Sequence, residues 1–97
     1  MIVSFSAEAL DDARQLADWY IAQDAWNAVF DLHDELALAV QRVARTPALG
    51  TPGPLGTRLL PVHRFPVSLV YRLEGDDVRV IAVAPQRRQP GFWSGRR

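Results

Sequence analysis

The sequence predicts an α+β domain with elements in the order β-α-α-β-β-β, a helical hairpin packed on a mainly antiparallel sheet. Three observations predict it. Apolar residues recur at helical spacing through the first half, alternation with a period of two takes over after residue 57, and a run dense in proline and glycine separates the two regimes. Ninety-seven residues make a single domain, 1–97, with room for one core and none for a second catalytic unit.

Ile2, Val3, Ser4 and Phe5 form a short β-prone stretch that ends at Ser6, a helix N-cap with Glu8 well placed in the first turn. In the first helix Ala9, Leu10, Ala13, Leu16, Ala17, Tyr20 and Ile21 share one arc, while Asp11, Asp12, Gln15 and Asp18 lie away from it. Trp19 falls among those polar residues, outside the arc. Asp24 is expected to cap a second helix that runs to about Arg45 and stops at Thr46-Pro47. Val29, Leu32, Leu36, Ala39, Val40 and Val43 centre its apolar face, Trp26, Phe30 and Ala37 form a shoulder, and Leu38 sits on the polar side. A face this broad is expected to pack on both the first helix and a sheet. His33 lies within the arc, which predicts a hydrogen-bonded core histidine. With so short a link between them, the helices must form an antiparallel hairpin.

Pro47, Gly50, Pro52, Gly53, Pro54 and Gly56 mark a loop over residues 46–57. Strands are then expected at residues 58–63, 65–73 and 78–84, the last two joined by a tight turn at Gly75-Asp76-Asp77, with an irregular tail from residue 85 onward. The first strand's place in the sheet is open, although the long crossover permits parallel pairing.

The composition, 48% hydrophobic and 23% charged, is that of ordinary globular material, and no apolar run approaches the ~20 residues needed to span a bilayer. The first residues lack a basic leader followed by an apolar stretch, so no secretory signal is expected. The absence of cysteine excludes disulfides and thiol chemistry and fits a cytoplasmic location. Neither a metal nor a cofactor is expected. His33 has no second histidine at helical spacing, no carboxylates cluster on one face, and the Gly/Pro loop follows a helix and precedes a strand, the reverse of a phosphate loop.

The formal charge of +0 conceals a division along the chain. Through residue 40 eight acids accompany one arginine, a net of −7; from residue 41 ten arginines accompany three acids, a net of +7. Every basic residue is arginine, a usage that genomic base composition explains, although arginine also suits planar, bidentate contacts with carboxylate or phosphate.

The order of elements and the text of the last forty residues resemble the RelE/ParE toxin superfamily of type II toxin–antitoxin systems, in its ParE-like branch. The matches are Arg58, Arg64-Phe65-Pro66, Val70-Tyr71-Arg72, the turn at Gly75-Asp76-Asp77, Val80-Ile81-Ala82-Val83-Ala84, and Arg87-Arg88-Gln89-Pro90-Gly91-Phe92-Trp93. There are departures: Pro85 stands where the family pattern usually has histidine, and Phe92 where many relatives have tyrosine. They remove an ionisable ring and a phenolic hydroxyl.

The resemblance implies a toxin that inhibits DNA gyrase by binding it and is neutralised by a ParD-type antitoxin. Arg64, Arg87, Arg88, Phe92 and Trp93 are then the candidate target contacts, and Trp19, Trp26 and Leu38 the candidate antitoxin contacts. The RelE branch implies an alternative, ribosome-dependent cleavage of mRNA, for which Arg58, Arg64 and Arg88 would hold the phosphate and His63 would be the one titratable ring on the basic half. The ordinary role of a histidine at such a strand end is structural or merely exposed. A degenerate toxin that only binds its antitoxin is a third possibility.

Overall fold

The computed structural model describes residues 1–86 and 91–96. The chain runs through β1 (Val3–Phe5), α1 (Ala7–Ala22), α2 (Trp26–Arg45), β2 (Thr51–Pro52), β3 (Arg58–Pro61), β4 (Val67–Glu74) and β5 (Asp77–Pro85), with short 3-10 turns at Pro47–Leu49 and Pro54–Gly56. The α+β class and the order of the main elements are as expected; β2 is an addition inside the proline-glycine loop.

The five strands form one sheet in the order β1-β5-β4-β3-β2. The last four meander antiparallel, and β1 joins β5 in parallel, with Val3 opposite Val78 and Phe5 opposite Val80. The helical hairpin is the crossover that such a parallel pair requires. α1 begins as expected, with the Ser6 hydroxyl accepting the Ala9 N–H at 3.0 Å. α2 begins differently: Asp24 adopts a left-handed φ of 57°, and Ala25 occupies the N-cap with no side-chain hydrogen bond. The link is so short that it needs a sharp reversal, and Asp24, of a residue type that tolerates that region, supplies the reversal instead of the cap.

The sheet is buried on both faces. On one side Ala9, Ala39 and Val43 of the helices pack on Leu69, Tyr71, Val78, Val80 and Val83. On the other, Val70, Ile81, Ala82 and Ala84 are covered by Trp93. A β-bulge makes this possible. Val70 lies opposite Ala82 and Tyr71 opposite Val80, which leaves Ile81 as an extra residue. The alternation therefore changes phase, so that Val80 and Val83 both reach the helical side while Ile81 and Ala82 reach the other.

His33 is exposed, a correction to the expectation of a core histidine. The buried stripe of α2 is centred on Leu32, Ala39 and Val43, and the shoulder that carries His33 faces outward. No helix among the described residues is long and apolar enough to cross a membrane.

Candidate functional site

Among the described residues, the two arginines singled out from the sequence, Arg58 and Arg64, do not converge. Arg58, at the start of β3, donates from Nη1 to the carbonyls of Gly50 at 2.7 Å and Ala48 at 3.2 Å. It thereby braces the loop that follows α2. Arg64 and His63 lie beyond the opposite end of β3, a strand about 10 Å long at the usual rise per residue. Arg64 takes a left-handed φ of 71°, is exposed, and approaches Asp31 of α2 at 3.5 Å. His63 is exposed. Arg87 and Arg88 lie outside the described residues. Among the described residues no group of three or more His, Cys, Asp or Glu side chains could hold a metal ion.

Residues 91–96 form a strap across the back of the sheet. Trp93 is only 6% exposed, packed among Val70, Ile81, Ala82 and Ala84, so the ring is part of the core. Phe92, half-buried, meets it edge-on with centroids 5.2 Å apart and lies under the Arg96 guanidinium at 5.1 Å. Arg96 then reaches the front layer. Its fork grips Asp12 of α1 through Nη1–Oδ2 at 2.5 Å and Nη2–Oδ1 at 3.2 Å, with Nε 3.4 Å from Glu8. Arg96 Nη1 also donates to the Ile81 carbonyl at 3.2 Å, and Asp12 Oδ2 accepts the Val83 N–H at 3.0 Å. The hydrogen bonds to Asp12 hold the guanidinium pKa above its ordinary value.

This cluster closes an edge. β1 ends at Phe5, so among the described residues no strand neighbours the outer side of β5 beyond Val80. The Ile81 carbonyl and the Val83 N–H that would have met one are satisfied by Arg96 and Asp12, and Pro85 has no N–H to offer. Alongside runs an apolar groove of about 250 Å³, lined by Leu16, Trp19, Tyr20, Pro66, Val67 and Pro85. Phe65 supports it through an edge-on contact with Tyr20 at 5.8 Å.

Large apolar side chains face solvent on the hairpin: Trp19 is 55% exposed, Trp26 51%, Phe30 65% and Leu38 50%. Trp26 and Phe30 are one turn apart on the same side of α2, whereas Leu38 lies about 18 Å farther along than Trp26 and roughly 120° around the axis. These residues therefore offer two surfaces rather than one.

Sequence reasoning missed the pairing of Asp12 with Arg96. A signal was present: Asp12 is three residues after Ala9 and four before Leu16, both on the core side, which puts a carboxylate at the margin of the buried face. Tyr71, Arg72 and Arg79 were noted only as text or not at all. Tyr71 is fully buried and hydrogen-bonded to the loop after α2; Arg72 donates to the carbonyls of Leu55 and Arg96 at 3.2 and 3.0 Å. Arg79 reaches Ser4 Oγ and the Phe5 carbonyl at 3.4 and 3.5 Å, tying β5 to β1.

Fold and surfaces together define a small α+β domain whose sheet is sandwiched between a helical hairpin and its own C-terminal strap. A family model described as "ParE toxin of type II toxin-antitoxin system, parDE" matches residues 3–90, and the chain belongs to that family. Among solved structures it is similar to a chain of the chromosomal ParDE toxin–antitoxin system from P. aeruginosa, with a TM-score of 0.77 at 18% identity, over 88% of this chain and 95% of that one. No curated protein matches the chain.

Proposed function

We propose that this toxin acts by binding DNA gyrase and is neutralised by a ParD-type antitoxin, both in the cytoplasm. What supports binding over RNA cleavage is the separation, among the described residues, of Arg58 from Arg64 and His63. Arg58 is committed to the carbonyls of Ala48 and Gly50, and the length of β3 lies between it and His63 and Arg64. A phosphate held by one set would lie beyond the reach of the other, whereas general acid–base catalysis requires both within hydrogen-bonding distance of the reacting atoms.

The antitoxin is assigned to the helical side. Trp19 and the groove beside Pro66 and Pro85 form one seat, and Trp26 with Phe30 forms another. Because Asp12, Arg96 and Pro85 occupy the free edge of β5, a partner segment there would bind as a helix or extended chain in the groove rather than as an added strand. Arg64, with Arg87 and Arg88, is assigned to the target.

Purified toxin added to a gyrase supercoiling assay tests the proposal directly, with a dose-dependent loss of supercoiling expected. Undiminished supercoiling at saturating toxin, together with codon-positioned cuts in primer extension on transcripts from expressing cells, would transfer the assignment to mRNA cleavage.

A further inference from the structure

We propose that the outward side of α2 is a seam on which a second copy of this chain packs, the two α2 helices lying antiparallel about a two-fold axis. The pairing does not depend on what the toxin acts on. Its bearing on the antitoxin rests on the seat assigned above to Trp26 and Phe30.

Trp26, Phe30, His33, Ala37, Val40 and Ala44 follow one another at intervals of four, three, four, three and four residues. That is the repeat by which one helix packs along another, and here it is apolar but for the histidine and runs about 27 Å along α2. It is distinct from the stripe that faces the sheet: Leu32, Ala39 and Val43 are buried about a third of a turn away. Trp26, Phe30, His33 and Ala37 are exposed, and Val40 and Ala44 half-buried. One apolar stripe suffices to seat a helix on its own core, so a second, turned to solvent with a tryptophan and a phenylalanine in it, is a contact surface.

The seam is complementary to itself in size and in charge. Its bulky residues lie at the N-terminal end of α2 and its small ones toward the other. Turned antiparallel about an axis at the level of Glu35, Trp26 meets the second copy's Ala44, Phe30 its Val40 and His33 its Ala37. Parallel pairing would instead crowd Trp26 against Trp26 and leave a gap at Ala37 and Ala44. The first half of α2 carries Asp31, Asp34 and Glu35, and the last turn Arg42 and Arg45. The antiparallel register sets these ends against each other and brings Arg45 beside the second copy's Asp24, both exposed. A two-fold contact makes each of these matches twice. Its one like-charged meeting, Asp34 with its own copy near the axis, is an exposed and weak repulsion. In this pairing Trp26 and Phe30 are covered, so the antitoxin and the second copy exclude each other at that seat.

Sedimentation equilibrium of the purified toxin alone should give twice the mass of one chain at micromolar concentration. Trp26→Ala and Phe30→Ala, both at exposed positions that leave the fold intact by thermal midpoint, should each weaken the dimer at least about tenfold, and Leu38→Ala, off the seam, less than about twofold. The chain has no cysteine, so introduced ones report the register. Asn27, Asp34 and Gln41 are exposed and seven residues apart along one edge of the seam. With a short bis-maleimide, Asp34→Cys should cross-link to its own copy, about 3 Å away along the axis. Asn27→Cys and Gln41→Cys, about 24 and 18 Å from their own copies along it, should each fail alone and cross-link when mixed.

A toxin that stays monomeric throughout the micromolar range overturns the inference, and if Trp26→Ala still lowers its affinity for the antitoxin, the seat assigned there stands without it. Self-cross-linking by Asn27→Cys and Gln41→Cys alike would mean a parallel seam and overturn the antiparallel pairing. A dimer indifferent to Trp26→Ala and Phe30→Ala would put the contact elsewhere on the molecule and overturn it as well.

Discussion

The Tyr71 hydroxyl donates to the Pro47 carbonyl at 2.6 Å and accepts the Gly50 N–H at 2.9 Å, so that one buried phenol on β4 holds both ends of the turn that brings α2 back to the sheet. Gly50 is fitted to it: a Cβ there would lie 2.7 Å from the same hydroxyl. Tyr71→Phe leaves a donor and an acceptor unsatisfied and should cost about 1–3 kcal/mol. Gly50→Ala forces the ring to move and should also destabilise. Urea unfolding of the purified variants measures both, and an unchanged midpoint in either would count against this arrangement.

Arg58 separates a loop brace from a phosphate ligand. Its two carbonyl contacts predict that Arg58→Met lowers stability by about 1–3 kcal/mol, as expected for hydrogen bonds from a charged donor. Growth arrest per unit of folded toxin should be unchanged. A loss of arrest by a hundredfold or more with the thermal midpoint intact would indicate a chemical role instead.

Trp93 and Trp26 should behave in opposite ways. Trp93 fills the rear core, so Trp93→Ala should cost about 3–5 kcal/mol and lower the thermal midpoint steeply. Trp26 is half exposed, and Trp26→Ala should alter stability by no more than about 0.5 kcal/mol. Its affinity for the cognate antitoxin should nevertheless fall at least about tenfold, the size of effect typical of a buried aromatic anchor in an interface. Calorimetric titration with the antitoxin decides the second point.

Asp11 gives a small acid-side effect. Hydrogen bonds from Arg14 and Gln15 hold its carboxyl below the ordinary value of 3.8. A carboxylate whose folded-state pKa is depressed adds stability above the unfolded value and loses it as pH falls through the folded one, so the contribution should decline as pH drops below 3.8 and vanish once it passes the lower folded value. The group is partly exposed, so salt should weaken the effect. Asp11→Asn should flatten that limb of a stability–pH curve, and an unaltered limb would assign it to other carboxylates.

The sequence revealed most of the elements and little of how they join. Helical spacing located α1 and α2, and alternation located the last three strands, because one face of each is buried continuously. The parallel union of β1 with β5 was invisible, since three residues carry no register of their own and the pairing is set by partners some 75 positions away. β2 was hidden because Thr51-Pro52 has the composition of a loop, and the Ile81 bulge because an apolar run buried on both faces shows no period. On α2 a wide apolar arc looked wholly buried and carried His33 with it. Of the candidate site, the exposed Trp19 and Leu38 were legible as apolar groups set apart from the helices' core-facing stripes, whereas Trp26 was read as a shoulder of the packed face of α2 and is half exposed. Asp12 was lost among the acids of α1, and its partner, in the tail, could be found only in three dimensions.

The pairing of β1 with β5 and of Asp12 with Arg96 has a consequence for synthesis. These contacts span 75 and 84 positions of chain, so the first strand and first helix leave the ribosome long before anything exists for them to pack on. A nascent toxin therefore stays unfinished until almost its last described residue has emerged. The packed shape is complete only then, and an antitoxin already present has that interval as a head start.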